Sequence, residues 1–329
     1  MNTYELDGRR VWVAGHRGMV GSALVRRLAT TGANLLTVDR SGLDLRQESA
    51  VRNWMAAHRP DAVMVAAATV GGIEANRTRP AEFLYDNLLI AANVIHAAAQ
   101  TDVSKLLFLG SSCLYPRDAE QPIREEALLA GPLEPTNEWY AVAKIAGVKL
   151  CQAYRRQHDK DFIAVVPTNL YGPGDNFDVV AGHVIPALMR KMHEAKEEGG
   201  AGPVDIWGTG RSEREFLYVD DAADALVFLM ERYSEADIIN VAGGDTVTVA
   251  ELARLVAAVV GYQGAFRFDT TKPDGMPRKA LDAARLRDAG WRPGISLRDG
   301  LVKTYGWFLS HSATRRNLTQ PSQVDAREG

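Results

Sequence analysis

Short apolar runs alternate with longer amphipathic stretches through the first half of the chain. Arg10 to Ala14 (RVWVA) is β-rich and apolar. A glycine turn follows it, and Met19 to Ala29 then carries apolar residues at helical spacing. Asn34 to Val38, Asp61 to Ala66, Lys105 to Leu109 and Asp161 to Val166 read as four more strands. Between them, Gln47 to His58 reads as a helix that Pro60 ends, and Pro80 to Gln100 as a long helix with proline at its start. A further helix, capped by Thr136 or Asn137, runs to about His158. Strands separated by helices in this way predict a parallel sheet covered on both faces. In such a sheet, ligands collect at the carboxyl ends of the strands.

After about Tyr171 the rhythm loosens. Turn clusters appear at GPGDN, EEGGAGP, GTGR, AGGD and KPDGMPRK. Helical spacing persists at Val184 to Lys196, Ala222 to Tyr233, Val249 to Val260 and Leu297 to Leu309. The expected organisation is α/β: a Rossmann-type doubly wound parallel sheet over 1–170, with a smaller α/β C-terminal substrate lobe over 171–312. The two are interleaved, and a polar tail over 313–329 is expected to be disordered.

Composition narrows the function. The 329 residues suffice for a large core without staples. A net charge of -3 offers no basic excess to hold DNA or RNA. Two cysteines, Cys113 and Cys151, exclude a disulfide scaffold and a four-cysteine zinc site, and no metal is expected. The N-terminus lacks the basic start and apolar run of a secretory signal, and no apolar stretch reaches the roughly 18 residues of a membrane span. A cytoplasmic protein with neither membrane nor nucleic-acid partners is expected.

Gly15, Gly18 and Gly21 follow the first strand and open the first helix as GHRGMVG. That context suits a pyrophosphate approaching a helix N-terminus. Arg17, in the loop, and Arg40, after the second strand, converge where the adenine ribose lies, which favours a 2′-phosphate and NADP. Asp39, at the same strand end, favours a free 2′-hydroxyl and NAD. The cation pair tips the reading to NADP(H).

Tyr140 and Lys144 are four apart on one helix and share a face. Ser111 and Ser112 end the fourth strand at the ligand-facing edge. A tyrosine exchanging a proton near neutrality must lose about three pKa units, roughly 4 kcal/mol. A lysine ammonium and a positive nicotinamide ring favour the phenolate, and a serine hydroxyl can hold a carbonyl oxygen in line. This set serves hydride transfer at a carbon bearing oxygen.

The motifs AGHRGMVGSA, VGGIEAN, KLLFLGSSCLYP, LEPTNEWYAVAKIAG, PTNLYGPGDNF, HVIPAL, WGTG, REFLYVDD and KPDGMPRK together resemble the extended short-chain dehydrogenase/reductase superfamily. The resemblance runs from about Arg10 to Leu309. It is closest to the 3,5-epimerase/4-reductase branch, which turns GDP-4-keto-6-deoxy-mannose into GDP-L-fucose. It implies Ser111, Tyr140 and Lys144 as the reductive set, with Cys113 as base and His183 as acid for inverting C3 and C5 beside the ketone. It implies cofactor contacts from Gly15, His16, Arg17, Gly18, Met19, Val20 and Gly21, from Arg40, from Leu109, Gly110, Ser111 and Ser112, from Lys144, and from Pro167, Thr168, Asn169 and Leu170. It implies a GDP-sugar site lined by His183, Lys191, Trp207, Arg214, Asp274 and Lys279. It also implies a homodimer through the two long helices. Cys151 has no such context and reads as core. A sibling enzyme of GDP-colitose or GDP-heptose type, or a redox-neutral GDP-mannose 3,5-epimerase, remains an alternative.

Overall fold

In the computed structural model, which describes residues 3–179, 182–199, 202–272 and 274–319, the first half of the chain runs β1 (Arg10–Ala14), α1 (Met19–Leu28), β2 (Asn34–Leu36), α2 (Glu48–His58), β3 (Ala62–Val65), α3 (Ile73–Thr78), α4 (Pro80–Gln100), β4 (Lys105–Leu109), α5 (Glu138–His158), β5 (Asp161–Pro167) and β6 (Asn169–Tyr171). The second half runs α6 (Val184–Glu197), β7 (Val204–Trp207), β8 (Glu213–Tyr218), α7 (Val219–Arg232), β9 (Ile239–Val241), β10 (Asp245–Thr248), α8 (Val249–Val260), β11 (Phe266–Asp269), β12 (Arg278–Lys279), α9 (Ala284–Asp288) and α10 (Leu297–Thr319).

The main sheet has six strands in the order β2-β1-β3-β4-β5-β9, and every pairing in it is parallel. Every residue of β3 and β4 is buried, because helices cover both faces and leave no side for polar residues. Alternate residues feed two cores. Trp12, Val63, Leu106 and Phe108 join Val94, Ile95 and Val148 of α4 and α5 on one face. Val11, Val13, Met64 and Leu107 join Leu24 and Leu28 of α1 and Leu226 and Met230 of α7 on the other. The chain reverses direction across the sheet between β1 and β3, so a crevice opens at their carboxyl ends.

The second lobe is built on β8. β10 pairs with one edge antiparallel, while β6 and β12 pair parallel to it. β7 and β11 form a separate parallel ribbon. Helices α6, α8 and α10 close a third core around Met189, Val256 and Leu301. The expected interleaving takes a definite form. α7 and β9 lie beyond Tyr171 in sequence, yet they complete the covering layer and sixth strand of the first lobe.

Three boundaries differ from the sequence expectation by two residues or more. β2 stops at Leu36, paired with Trp12, because the chain then turns at Asp39, whose Oδ1 accepts from the Ser41 and Gly42 amides. α7 starts at Val219, before the apolar periodicity begins, since Asp220 and Asp221 suit the positive end of a helix. α10 continues past Leu309 to Thr319, so the backbone over 313–319 is helical where a disordered tail was expected. No glycine or proline interrupts that stretch before Pro321. Residues 320–329 lie outside the described residues. Among the described residues no helix is long and apolar enough to cross a membrane.

Candidate active site

The glycine loop sits at the mouth of the β1/β3 crevice. Gly15 has φ +89°, and a Cβ there would lie 2.7 Å from the Ala67 backbone. A Cβ on Gly21 would collide with the Gly15 carbonyl. Side chains are therefore excluded where a diphosphate must meet the start of α1, and this cradle fits a dinucleotide. Gly18 is the N-cap of α1 and makes no side-chain cap bond. At the end of β2, Arg17 Nη2 is 2.8 Å from Asp39 Oδ2. The Asp39 carboxyl is held below its ordinary range by hydrogen bonds from Ser41 and Gly42, and by Arg17. Asp39 is thus engaged within the protein, and Arg40 stands exposed beside it.

The end of β4 turns inward. Gly110 N donates to Val165 O at 2.7 Å, and the chain enters a 3-10 turn over Ser112–Leu114. Ser111 caps this turn by accepting from the Cys113 amide, and the Cys113 thiol donates to Ser111 Oγ at 3.2 Å. Helix α5 brings Tyr140 and Lys144 to the same place. Lys144 Nζ donates to Leu109 O at 2.8 Å and lies 5.7 Å from the Tyr140 ring centroid. The structure therefore gathers Ser111, Cys113, Tyr140 and Lys144 at one sheet end. Cys151, by contrast, is buried in the core, and burial raises its thiol.

Burial dominates the electrostatics here. It pushes the Tyr140 phenol above its ordinary value; the Cys113 thiol adds to this, and a hydrogen bond with Ser111 opposes it. It lowers Lys144 to about 8, with Cys113 opposing. It raises Cys113, against Lys279, Ser111 and Lys144. It also lowers Lys279, which Cys113 draws back up. The protein alone does not depress the tyrosine as the sequence reasoning requires. A raised phenol is nevertheless the right starting form for giving a proton to a ketone oxygen.

Lys279, expected in the GDP-sugar site with Arg214, stands next to Arg214, because its strand β12 pairs with β8 so that the two residues are in register. Its field also bears on Cys113. Arg214 donates to the carbonyls of Glu213 and Asp274, at 2.8 and 3.0 Å. Asp274 clamps the Trp207–Thr209 turn, accepting from the Thr209 amide at 2.8 Å and its hydroxyl at 2.9 Å. Lys191 Nζ lies 5.8 Å above the Trp207 ring, and Lys272, which the sequence did not single out, lies 5.3 Å from it. An aromatic face with two cations above it suits a nucleotide base and its phosphates.

Pro167 ends β5, and Thr168, Asn169 and Leu170 lead into and along β6. They are tied to β8, because Asn169 Nδ2 donates to Glu215 O at 2.8 Å. Glu215 is a second residue missed in the sequence. Its buried carboxylate accepts from the amides of Gly243, Gly244 and Leu281 and so joins β8, the segment after β9 and the segment after β12. Only its position inside REFLYVDD could have signalled this. His183 stands on another element, as N-cap of α6, with Nδ1 3.4 Å from Asp175.

The family model described as NAD dependent epimerase/dehydratase matches residues 11–242. A GDP-L-fucose synthase of Sinorhizobium fredii is 56% identical over 313 residues, which cover 95% of this chain and 99% of that protein. A GDP-6-OMe-4-keto-L-xylo-heptose reductase from C. jejuni superposes with a TM-score of 0.86 at 33% identity, covering 94% of this chain and 99% of that one. A GDP-L-fucose synthetase from Naegleria fowleri bound to NADP gives a TM-score of 0.86 at 29% identity, covering 95% and 98%. With the glycine cradle and the Ser111, Tyr140 and Lys144 set in place, the chain belongs to the NAD dependent epimerase/dehydratase family.

Proposed function

We infer that this chain catalyses the GDP-L-fucose synthase reaction: 3,5-epimerisation of GDP-4-keto-6-deoxy-mannose followed by NADPH-dependent reduction at C4. The observation that carries the reading is the Cys113 thiol, 3.2 Å from Ser111 Oγ. It adds a proton-transfer group to a reductase's serine, tyrosine and lysine, and an epimerisation beside a ketone needs such a group. The fucose-forming relative at 56% identity supports the same substrate.

Cys113 removes the hydrogen at C3 or C5, which the neighbouring ketone acidifies, with Lys279 and Lys144 favouring the thiolate. His183 returns a proton from the opposite face. When bound, NADPH supplies the hydride that reaches C4. Tyr140 gives its phenolic proton to the C4 oxygen, Ser111 holds that oxygen, and the Lys144 ammonium stabilises the phenolate left behind. Arg17 and Arg40 would hold the 2′-phosphate. Trp207, Lys191, Arg214 and Asp274 would hold the GDP end.

The enzyme works in the cytoplasm as a homodimer. In support of the dimer, α4 and α5 leave Tyr85, Trp139 and Val142 exposed, 64%, 44% and 39% respectively. A second copy of this helix pair would cover them. Light scattering on the purified chain tests this, and a monomer at micromolar concentration would refute it.

The activity is tested by incubating the enzyme with GDP-4-keto-6-deoxy-mannose and NADPH and identifying the product by NMR. GDP-L-fucose with stoichiometric loss of NADPH is expected. Turnover without NADPH consumption would instead indicate a redox-neutral epimerase. No turnover here, but reduction of a GDP-4-keto-heptose, would indicate the sibling activity.

A further inference from the structure

We propose that Asp175 is the positioning residue of His183, holding the imidazole through Nδ1 so that Nε2–H is the end free to deliver a proton. The proposal rests on the reading of His183 as the epimerisation acid and supplies the group that keeps it one. Asp175 belongs to the PTNLYGPGDNF segment, where neither the reductive set nor the nucleotide site makes use of it.

The two side chains differ sharply in environment. The Asp175 carboxylate is 4% exposed, whereas the His183 imidazole is 48% exposed. A carboxylate only accepts hydrogen bonds, so the 3.4 Å contact from Nδ1 to Oδ1 requires a proton on Nδ1. Oδ1 also accepts from the Asn176 amide at 2.7 Å. Oδ2 is buried and has no hydrogen-bond partner among the described residues. A buried carboxylate with one oxygen unsatisfied is costly, and a nearby imidazolium is the group that best offsets it.

The backbone is shaped to bring the pair together. The Asp175 amide donates to Gly172 O at 3.2 Å, and Gly174 takes φ +86° with its α-carbon face against Met19 at the start of α1. The loop is thereby anchored beside the cofactor cradle. At its far end the Gly182 amide donates to Asp178 O at 2.9 Å, and a Cβ on Gly182 would collide with the carbonyls of Asn176 and Asp178. Glycine at 182 thus lets the chain fold back and return His183 to Asp175.

The other charged groups nearby are engaged differently. Asp178 holds Gly182 through its backbone. Arg190, further along α6, donates to Glu194 at 2.7 Å and to Phe177 O at 3.4 Å. From the neighbouring β7, Asp205 pairs with Arg267 of β11, and Lys191 donates to the Asp205 carbonyl. From α10, Tyr305 bonds to His193. Asp175 is the group that raises His183 above its ordinary value, through the hydrogen bond first and its charge second.

The test uses enzyme labelled with ¹⁵N in its histidine rings, with the His183 signals assigned by their loss in His183→Asn. In the unmodified enzyme, Nδ1 should be protonated, and the ring should titrate above about 6.5. Asp175→Asn should move the midpoint down toward that value. It should also slow deuterium uptake at C3 and C5 in D2O at pH 7.5, because less of the ring then carries its proton. NADPH affinity and thermal midpoint should stay unchanged, and Asp175→Glu should restore part of the ring shift. A residue that merely closes the loop would alter the thermal midpoint and leave the ring signals in place. An unmoved titration in Asp175→Asn overturns the proposal and leaves the acid assignment standing. Normal deuterium uptake in His183→Asn overturns the acid assignment and, with it, the catalytic purpose of the pair. If Asp175→Asn fails to fold, the unmodified spectrum decides, and an unprotonated Nδ1 in the neutral ring overturns the proposal.

Discussion

Arg17 and Asp39 form an ion pair of 2.8 Å at the carboxyl end of β2, the place where cofactor preference is set in this fold. Asp39 Oδ1 is meanwhile occupied by the Ser41 amide at 3.1 Å, the Ser41 hydroxyl at 2.6 Å and the Gly42 amide at 3.1 Å. The acid that argues for NADH in the sequence is therefore spent on a turn and a neighbouring cation. NADPH should be preferred over NADH. Arg17→Ala removes a cation and also unmasks Asp39, so it should cost more of that preference than Arg40→Ala. A charge-assisted contact corresponds to about 10- to 100-fold in kcat/KM for NADPH. Equal kcat/KM for the two cofactors in the unmodified enzyme would show that Asp39 governs the choice.

Tyr140→Phe should lower C4 reduction by about 10² to 10⁴-fold, the range for a positioned proton donor. NADPH binding should persist, because Lys144 keeps its bond to the Leu109 carbonyl and the glycine cradle is untouched. Fluorescence titration with NADPH and a single-turnover assay separate the two effects. Reduction at the normal rate in the variant would remove Tyr140 from the mechanism.

Lys144 titrates at about 8, below the ordinary lysine value of 10.5, because burial disfavours its charge. The ammonium that stabilises the Tyr140 phenolate is thus complete well below pH 8 and is lost as pH rises through that value. kcat/KM for reduction should decline above about pH 8 with the slope of one proton. For stability the sign is opposite. Between pH 8 and 10.5 the unfolded chain holds a proton that the folded site has released, so this group's penalty on folding is relieved as pH rises. A flat kcat/KM profile from pH 7 to 10 would refute the assignment.

The first lobe was legible in the sequence because its central strands are buried throughout and its long helices each bury one apolar face. Lys105–Leu109 and Pro80–Gln100 have in the structure the bounds that their patterns indicate. In the second lobe the helices were legible, Val249–Val260 with the bounds its spacing indicates, but the strands were not, because they are short and half-covered. β12 has two residues, and no residue of β10 is buried, so neither carries a readable periodicity. The reductive set was legible because Tyr140 and Lys144 share one helix and Ser111 ends one strand. Lys279 beside Cys113 and the bonds of Glu215 to Gly243, Gly244 and Leu281 depend on pairings across long sequence distances. No local pattern announces that Lys279 meets Arg214 in register, or that a glycine at 182 returns His183 to Asp175.

Cys113 and His183 differ enough in surroundings that their failures should be distinguishable from those of the reductive set. Cys113 is 7% exposed, sits in the turn after β4 and donates to Ser111 Oγ, whereas His183 is half-exposed at the start of α6. Cys113→Ser keeps the shape and can keep the bond to Ser111, but replaces a thiol of ordinary pKa near 8.5 with a far weaker acid. The serine would seldom be the anion that abstracts a carbon-bound proton, even with Lys279 and Lys144 acting on it. His183→Asn keeps a polar group and removes the titrating ring. Each variant should lose about 10² to 10⁴-fold of the hydrogen exchange at C3 and C5 with D2O. Ser111, Tyr140 and Lys144 remain in both, so slow reduction of the unepimerised 4-keto sugar should continue as a side reaction. Mass spectrometry of recovered substrate reads the exchange, and NMR identifies the reduced product. Normal deuterium incorporation at both carbons in both variants would leave Cys113 and His183 as packing or binding residues, and the epimerisation would need another base.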